Sequence, residues 1–388
     1  MSRSVFALMV CVFGVTTGEF VIAGLLPDIA AGLAVPIPAA GLLVTAYALG
    51  MIVGGPLLTI WTASASRKPL LAALLVVAVV GNLASAFAPS YPVLFAARVA
   101  TALVTATFFA SALVVATSTA PAGKQASTVA VLALGMNLAM ILGAPIGTVI
   151  GGAYGWRATF LAIAAWCVLG LLLVLRTVPD VPPSGSVGFA QLRVFRSRGV
   201  LLAIAVTAVG NAGLLAVFTY LAPLLTEVSG FAPGAVPLLL LAYGVGAAVG
   251  NLAGGRLADL APRAAQPALL AGLAVALVAL WAVSANPAAT VVLVVLVGAL
   301  GFAVVPGMQT RVLAAANSAV EAAPTLAIAV NASAYQLAAA FAGWFGGLVL
   351  AGWGAAAITL VAAAVTLAGA VLSTAGHRTP SESPLQAR

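Results

Sequence analysis

Long apolar stretches separated by short turn segments recur along the whole chain. Each stretch is close to the length of about 20 residues that carries an α-helix across the hydrocarbon core of a bilayer. The breaks between stretches contain residues that end helices, as at Pro36 and Pro38, at residues 89–92 and at Asn286-Pro287. This pattern predicts twelve membrane-spanning helices, near residues 5–27, 41–61, 69–88, 93–118, 128–152, 158–176, 200–222, 234–254, 267–285, 288–308, 325–350 and 353–375.

The composition supports a membrane protein and argues against other classes. Hydrophobic residues fill 64% of the 388 positions and charged residues only 6%, whereas soluble domains carry about 25% charged residues. So few charges cannot cover a surface that faces water. Most of the surface of this protein must therefore face the lipid bilayer. A transmembrane β-barrel would instead show strands of about 10 residues with alternating polarity. We therefore predict an all-α integral membrane fold.

The positions of the positive charges indicate which ends of the helices face the cytoplasm. The chain carries 15 Lys and Arg residues and 7 acidic residues, a net charge of +8. If the N-terminus is cytoplasmic, all of the basic residues except Arg98 and Arg157 fall in cytoplasmic segments. Because cytoplasmic loops of membrane proteins are enriched in Lys and Arg, both termini are expected to be cytoplasmic. The basic charge then reflects topology, and nucleic acid is not an expected partner.

The chain divides into two similar halves around a charged, proline-rich segment. Residues 177–199 are predicted to form a cytoplasmic linker between six-helix bundles at 1–176 and 200–376, and 377–388 form a cytoplasmic tail. Short sequence repeats support this division, since the motif GGPLLT at 54–59 is followed by GGRLAD at 254–259. Parallel halves of this kind are a known transporter architecture.

Four stretches resemble the major facilitator superfamily, in its twelve-helix drug:proton antiporter branch. TTGEF at 16–20 is similar to the first helix of bacterial chloramphenicol, sugar and nucleoside exporters, and Arg98 matches the family's intramembrane arginine. GAPIG at 143–147 is similar to the antiporter signature, and the loop from Gly55 to Lys68 is similar to the helix 2–3 signature. That loop has Thr59 where the family usually has Asp, whereas the second half keeps the acid as Asp259.

The resemblance implies a monomer in a bacterial inner membrane that opens alternately to each side. It also implies that the motif residues take part in the conformational change, and these are Gly55, Arg67, Gly143, Pro145, Gly147, Gly255 and Asp259. In helix 5, Pro145 is expected to kink the helix and the glycines to allow close packing. No cofactor is expected, because Gly123-Lys124 lacks the flanking residues of a phosphate-binding loop. A proton gradient is the predicted energy source.

Two ionisable residues are predicted inside the membrane, where such residues are usually functional. Glu19 lies in helix 1, where burial disfavours its charged form and lets it take up a proton. The alternative is a protonated carboxyl that only bonds a neighbour. Arg98 either takes part in coupling or ties helix 4 to helix 1. Asp28 is a third proton-coupling candidate, although it also fits a solvated charge at a helix end.

Uncharged side chains are predicted to line a central cavity. Thr101, Thr105 and Phe109 share a helical face with Arg98. The remaining candidates are polar, aromatic or thioether side chains in other helices: Tyr47, Asn137, Met140, Asn211, Tyr243, Asn331 and Gln336, with Gln309 and Tyr335 beside them. A mainly apolar pocket with few polar groups suits a small amphiphilic substrate, although each residue can equally bond another helix.

The favoured hypothesis is proton-coupled export of amphiphilic, drug-like molecules such as chloramphenicol. Uptake or facilitated transport of a sugar, nucleoside or other metabolite is the alternative. A membrane enzyme is disfavoured because its catalytic site would need a cluster of His, Asp or Glu, whereas the acids are scattered and His377 lies in the tail. A receptor or purely structural protein would have no use for ionisable residues inside the membrane.

Overall fold

The computed structural model describes residues 2–62, 64–120, 125–182, 197–261, 264–319 and 324–375. Within these ranges, twelve helices are long and apolar enough to cross a membrane. The first six are α1 (Arg3–Phe20, continued by Ile22–Gly32), α2 (Ile37–Trp61), α3 (Arg67–Ala86), α4 (Tyr91–Ser118), α5 (Gln125–Leu138, a π-turn at Ala139–Gly143, and Ala144–Tyr154) and α6 (Trp156–Thr177).

The last six helices follow the linker. They are α7 (Arg198–Thr219, continued by Leu221–Pro223 and a π-turn at Leu224–Val228), α8 (Val236–Leu260, preceded by a 3₁₀ turn at Pro233–Ala235), α9 (Ala265–Val283), α10 (Pro287–Ala319), α11 (Pro324–Trp353) and α12 (Ala355–Ala375). The predicted all-α fold with twelve spans is therefore confirmed. The cytoplasmic position of the termini and the division into bundles at 1–176 and 200–376 stay predictions, and 183–196 of the linker and the tail 377–388 lie outside the described residues.

Three helices continue well past their predicted ends. Helix α8 was expected to end near residue 254 and runs to Leu260. Helix α10 was expected to stop near residue 308, where polar residues begin, but it runs to Ala319. Polar residues lower the hydropathy but do not break a helix, so α10 continues beyond its apolar part. Helix α1 was expected to stop at Pro27, yet it is interrupted at Val21 and then resumes to Gly32 with Pro27 inside it.

The π-turn in α5 keeps its glycines on one face. Gly135 and Gly143 are eight residues apart, which in a regular α-helix places them about 80° apart around the axis. The π-turn adds one residue to the turn, and the Ala144 N–H bonds the Ala139 carbonyl. Both glycines then face α1, where a side chain would meet Met9 and Thr17 respectively.

Small residues bring α5 and α8 together across the two halves of the chain. A Cβ on Gly244 of α8 would lie 2.9 Å from the Ile141 Cα in α5. A Cβ on Gly24 of α1 would meet Thr148 of α5 and come within 3.0 Å of Leu240 of α8. These contacts lie at or beyond the π-turn, toward the membrane face opposite the chain termini, which we call the outer face.

A tyrosine fills the corresponding contact between α2, α7 and α11 at the outer face. Tyr220 lies at the break in α7 between Thr219 and Leu221. It is 1% exposed, and its hydroxyl donates to the Gly343 carbonyl of α11 over 2.6 Å. Its ring lies against Gly41 of α2 and Gly346 and Gly347 of α11, where any side chain would collide with it. One level deeper, the Thr45 hydroxyl of α2 donates to the Ala340 carbonyl over 2.9 Å. The two halves thus close around Tyr220.

Adding one methyl group at Gly41 is expected to open the outer face. In Gly41→Ala the new Cβ collides with the Tyr220 hydroxyl, and overpacking of this kind costs about 1–3 kcal/mol. Distances between spin labels at the exposed positions Ser90 and Asn286 would then shift toward longer values. Gly152→Ala is the matched control, because a Cβ there meets open space. An unchanged distance distribution in Gly41→Ala would show that Tyr220 does not control closure.

Candidate functional site

The Arg98 guanidinium is buried in the middle of α4, with 0% of the residue exposed. Its Nη2 donates to the Gly18 carbonyl of α1 over 2.7 Å. The ring of Tyr47 from α2 lies 4.3 Å from the guanidinium carbon, and Phe160 of α6 lies 5.7 Å away. A cation placed over aromatic faces is attracted by the ring electrons, and this attraction is strongest where water is excluded. Arg98 therefore ties four helices together through one charge.

Glu19 connects the first half of the chain to the second. Its Oε1 accepts a hydrogen bond from the Gln336 Nε2 of α11 over 2.9 Å. The carboxylate also interacts electrostatically with Arg98. Arg98 nevertheless bonds the α1 backbone rather than the carboxylate, and its Nε and Nη1 have no hydrogen-bond partner within the described ranges. Two predicted site residues and the predicted cavity residue Gln336 are thus brought together.

Thr101, Thr105 and Phe109 share one face of α4 with Arg98, and we call this face the polar stripe. Its two threonine hydroxyl groups bond to other groups of the protein. Thr101 and Thr105 are buried, and each donates to the carbonyl four residues earlier in α4. The Tyr47 hydroxyl bonds the Thr105 hydroxyl over 2.8 Å. Phe109, further along the stripe, is half-buried against the hydrophobic core. The stripe supports the position of the Tyr47 ring, and contact with substrate stays a prediction.

The other predicted cavity residues are not all close to Glu19. Asn211 donates to Met308 of α10 over 3.0 Å, which is a contact between helices. Asn137 is exposed one turn before Ile141, Met140 is buried, and Gln309 is exposed. Asn331 lies in α11 at a position where the side chain is outside the described residues.

An aromatic row starts beside Glu19 and crosses into the second half. Phe20 of α1 lies 6.0 Å from Phe218 of α7, ring centre to ring centre. Phe218 lies 5.2 Å from Tyr243 of α8, which lies 6.5 Å from Phe302 of α10. The Tyr243 hydroxyl is buried without a hydrogen-bond partner among the described residues. Tyr335, which neighbours Gln336, interacts electrostatically with both Tyr243 and Glu19.

Asp28 is separated from this site. It lies in the second segment of α1 and is exposed. This position fits the solvated helix-end charge that the sequence offered as the alternative. Its part in proton coupling stays a prediction without a described partner.

The loop between α2 and α3 contacts the start of the linker. The backbone N–H of Arg67, which is buried, donates to the Val181 carbonyl over 3.0 Å, and the Lys68 N–H donates to Asp180 over 3.4 Å. Asp180 of the linker thus places an acidic group beside the start of α3, whereas Thr59 at the end of α2 stands where the family usually has an aspartate. In the second half, Gly255 borders open space and Asp259 is exposed.

Asn82 of α3 is a buried polar residue that the sequence reasoning missed. It is 2% exposed, and its Nδ2 donates to the Ala78 carbonyl over 2.8 Å. Its Oδ1 has no partner among the described residues and lies beside Gly18. The available signal was an amide deep in the otherwise apolar and small-residue run 70–86.

Comparison with known proteins gives a consistent result. The family model described as "Major Facilitator Superfamily" matches residues 8–323. The inner membrane transport protein YdhP of Escherichia coli (strain K12) is 36% identical over 89% of this chain and 88% of its own length. A chloramphenicol resistance protein of Streptomyces lividans is 36% identical over 86% of this chain and 87% of its own length.

The fold is also shared with a solved transporter. The crystal structure of a D-xylose-proton symporter superposes with a TM-score of 0.76 and covers 95% of this chain and 96% of that one. The two sequences are 16% identical, so this likeness concerns the fold alone.

The contribution of the Tyr47 ring can be separated from that of its hydroxyl. Tyr47→Phe keeps the ring over Arg98 and loses the bond to Thr105, which costs about 1 kcal/mol. Tyr47→Leu also removes the cation–π contact, which is worth ~2 kcal/mol where water is excluded. The thermal unfolding midpoint in detergent is therefore expected to fall in the order wild type, Phe, Leu. Equal midpoints for the two variants would show that the ring does not stabilise the buried charge.

Proposed function

Because this chain belongs to the Major Facilitator Superfamily, we propose that it is a proton-coupled exporter of small amphiphilic compounds. The chain is a multi-pass protein of the bacterial inner membrane, and its relatives are transporters. Chloramphenicol-like molecules are the representative substrates of this proposal. Both termini lie in the cytoplasm, protons are the coupling ion, and the working unit is a monomer.

The hydrogen bond between Glu19 and Gln336 is the observation that carries this proposal. It joins α1 to α11, and therefore one half of the chain to the other, at a carboxyl group that can bind a proton. A hydrogen bond to an ionised carboxylate is roughly twice as strong as one between neutral groups. Protonation of Glu19 therefore weakens the contact between the halves. A ligand that binds one conformation better shifts the population toward it, and here the ligand is the proton.

Arg98 keeps Glu19 responsive to protons in this scheme. Its positive charge favours the ionised carboxylate, while burial in the membrane disfavours it. Because a guanidinium keeps its charge at any relevant pH, Arg98 does not exchange the proton itself. Arg98 provides a constant positive charge, while Glu19 gains and loses a proton in each transport cycle.

The aromatic row supports an amphiphilic substrate. Phe20, Phe218, Tyr243 and Phe302 form a connected row of aromatic rings that starts at the residue after Glu19. The Tyr243 hydroxyl in this row has no hydrogen-bond partner among the described residues. Pockets for drug-like ligands combine such surfaces with a few polar groups that fix orientation. A sugar or nucleoside needs a denser set of hydrogen-bonding groups, so export or uptake of such a metabolite is the second candidate.

Glu19→Gln is expected to abolish proton-driven export and leave the protein folded. The glutamine amide oxygen can still accept from Gln336, but the side chain no longer binds a proton. In a bacterium without its own drug pumps, the variant is expected to lose the resistance to chloramphenicol that the wild type confers.

Glu227→Gln is the matched control, because it makes the same change at an exposed carboxyl in the π-turn that ends α7. Equal membrane expression of the three proteins must be shown by immunoblot. Full proton-dependent export by Glu19→Gln would exclude Glu19 as the coupling residue.

The direction of transport can be read in inside-out membrane vesicles. With the vesicle interior made acidic, an exporter that exchanges protons for drug is expected to accumulate radiolabelled chloramphenicol, and a protonophore is expected to abolish this accumulation. Accumulation of labelled xylose or uridine instead would favour the metabolite alternative. Uptake that requires an alkaline vesicle interior would indicate a symporter.

A further inference from the structure

Two buried polar groups without partners border the same space beside Gly18. The Arg98 Nη1 and the Asn82 Oδ1 each lie 3.8 Å from the point that a Gly18 Cβ would occupy, and Ile163 closes the third side at 3.8 Å. Neither atom has a hydrogen-bond partner within the described ranges. Both residues are almost fully buried, at 0% and 2% exposure. A donor and an acceptor therefore face one small space that exists because residue 18 has no side chain.

The orientation of both groups is fixed by their other bonds. Arg98 Nη2 is held by the Gly18 carbonyl and the guanidinium is covered by the Tyr47 ring, which sets its plane. The Asn82 Nδ2 bonds the Ala78 carbonyl of its own helix, so Oδ1 is the end turned toward α1. Leaving a buried polar group without a partner costs about 1–3 kcal/mol, and more for a charged group. A water molecule with two to four polar partners removes that cost.

We propose that the space beside Gly18 binds one water molecule, and that Asn82 positions Arg98 through it. The water accepts a hydrogen bond from Arg98 Nη1 and donates one to Asn82 Oδ1. Asn82 is thereby a positioning residue for the proton site, although it contacts neither Glu19 nor substrate. The water site stands by itself, whereas its effect on proton coupling rests on the function proposed above.

This water keeps the guanidinium on the backbone of α1. With Nη2 on the Gly18 carbonyl and Nη1 on the water, Arg98 is held back from pairing directly with Glu19. From the surrounding helices, the titratable groups that interact with Glu19 are Arg98, Tyr47 and Tyr335, and Cys167 of α6 interacts with Tyr47. Among these groups, Arg98 is the one with a permanent charge, so its position governs how readily Glu19 takes up a proton.

Gly18→Ala tests the water site directly. The added methyl group would meet its neighbours at ordinary van der Waals distance, so it fills the space without a clash, and alanine favours the helix by about 1 kcal/mol over glycine. A structure at a resolution that shows ordered water is expected to have a density peak within hydrogen-bond distance of both atoms in the wild type. The peak is expected to be absent in Gly18→Ala. A wild-type map with other buried waters but none here would overturn the proposal.

The functional effect is expected to be a shift in pH dependence. Without the water or the Asn82 acceptor, Arg98 can pair with Glu19 and stabilise its ionised form. The carboxylate then takes up a proton only at lower pH. The pH midpoint of proton-driven chloramphenicol export is therefore expected to move to more acid values in both Gly18→Ala and Asn82→Val.

The control and the two measurements separate the possible failures. Gly152→Ala adds a methyl group to open space in α5 and is expected to keep the wild-type pH profile. Unchanged profiles in both Gly18→Ala and Asn82→Val would refute the positioning role, even with the water present. If the wild type exports chloramphenicol without any need for a proton gradient, the proposed function fails, while the density maps still decide whether the water site exists.

Discussion

A permanent positive charge enclosed by the membrane is the constraint on which the centre of this molecule depends. Arg98 cannot release its proton, and an unpaired cation in hydrocarbon is costly. Its surroundings reduce that cost with contacts from several helices. The Gly18 carbonyl of α1 accepts a hydrogen bond, and the rings of Tyr47 and Phe160 cover the guanidinium. Because these contacts come from α1, α2 and α6, the charge also fixes how the helices of the first half sit against α4.

Close helix packing in the same region is made by glycine and alanine rather than by large side chains. Lipid tails are as apolar as leucine, so helices in a bilayer associate through contact and hydrogen bonding. Gly41, Gly346 and Gly347 allow Tyr220 to lie between α2 and α11, and Gly244 allows α8 to reach α5. The contacts between the two halves described above are thus close backbone approaches at small residues, joined by individual hydrogen bonds. This arrangement suits the alternating opening proposed above.

The fold could be predicted from the sequence because apolar runs and turn residues are strong signals. The site depends on contacts between distant residues, which the sequence does not show. Apolar runs, turn residues and basic loops predicted twelve helices, and Glu19 and Arg98 stood out because each is an ionisable residue in an apolar run. The bond from Glu19 to Gln336 joins residues 317 positions apart, and no local pattern indicates it. Asn82 was missed because one amide in an apolar run is as compatible with helix packing as with function. Asn211 shows the reverse, since its contact is with Met308 of a neighbouring helix.

The π-turn at Ala139–Gly143 shifts the periodicity of α5 by one residue. The part before the turn and the part after it therefore belong to two different registers, and the turn absorbs one extra residue so that both parts present their glycines to α1. Deleting one residue between Gly135 and Gly143 would leave these glycines seven residues apart, which is close to two turns of a regular helix, so they would still share one face. A regular helix of the present length would instead rotate everything beyond the turn by about 100°. Gly143 and Gly147 would then leave α1 together, although neither had been replaced. The antiporter-like signature in this helix is thus positioned by the turn before it as much as by its own residues.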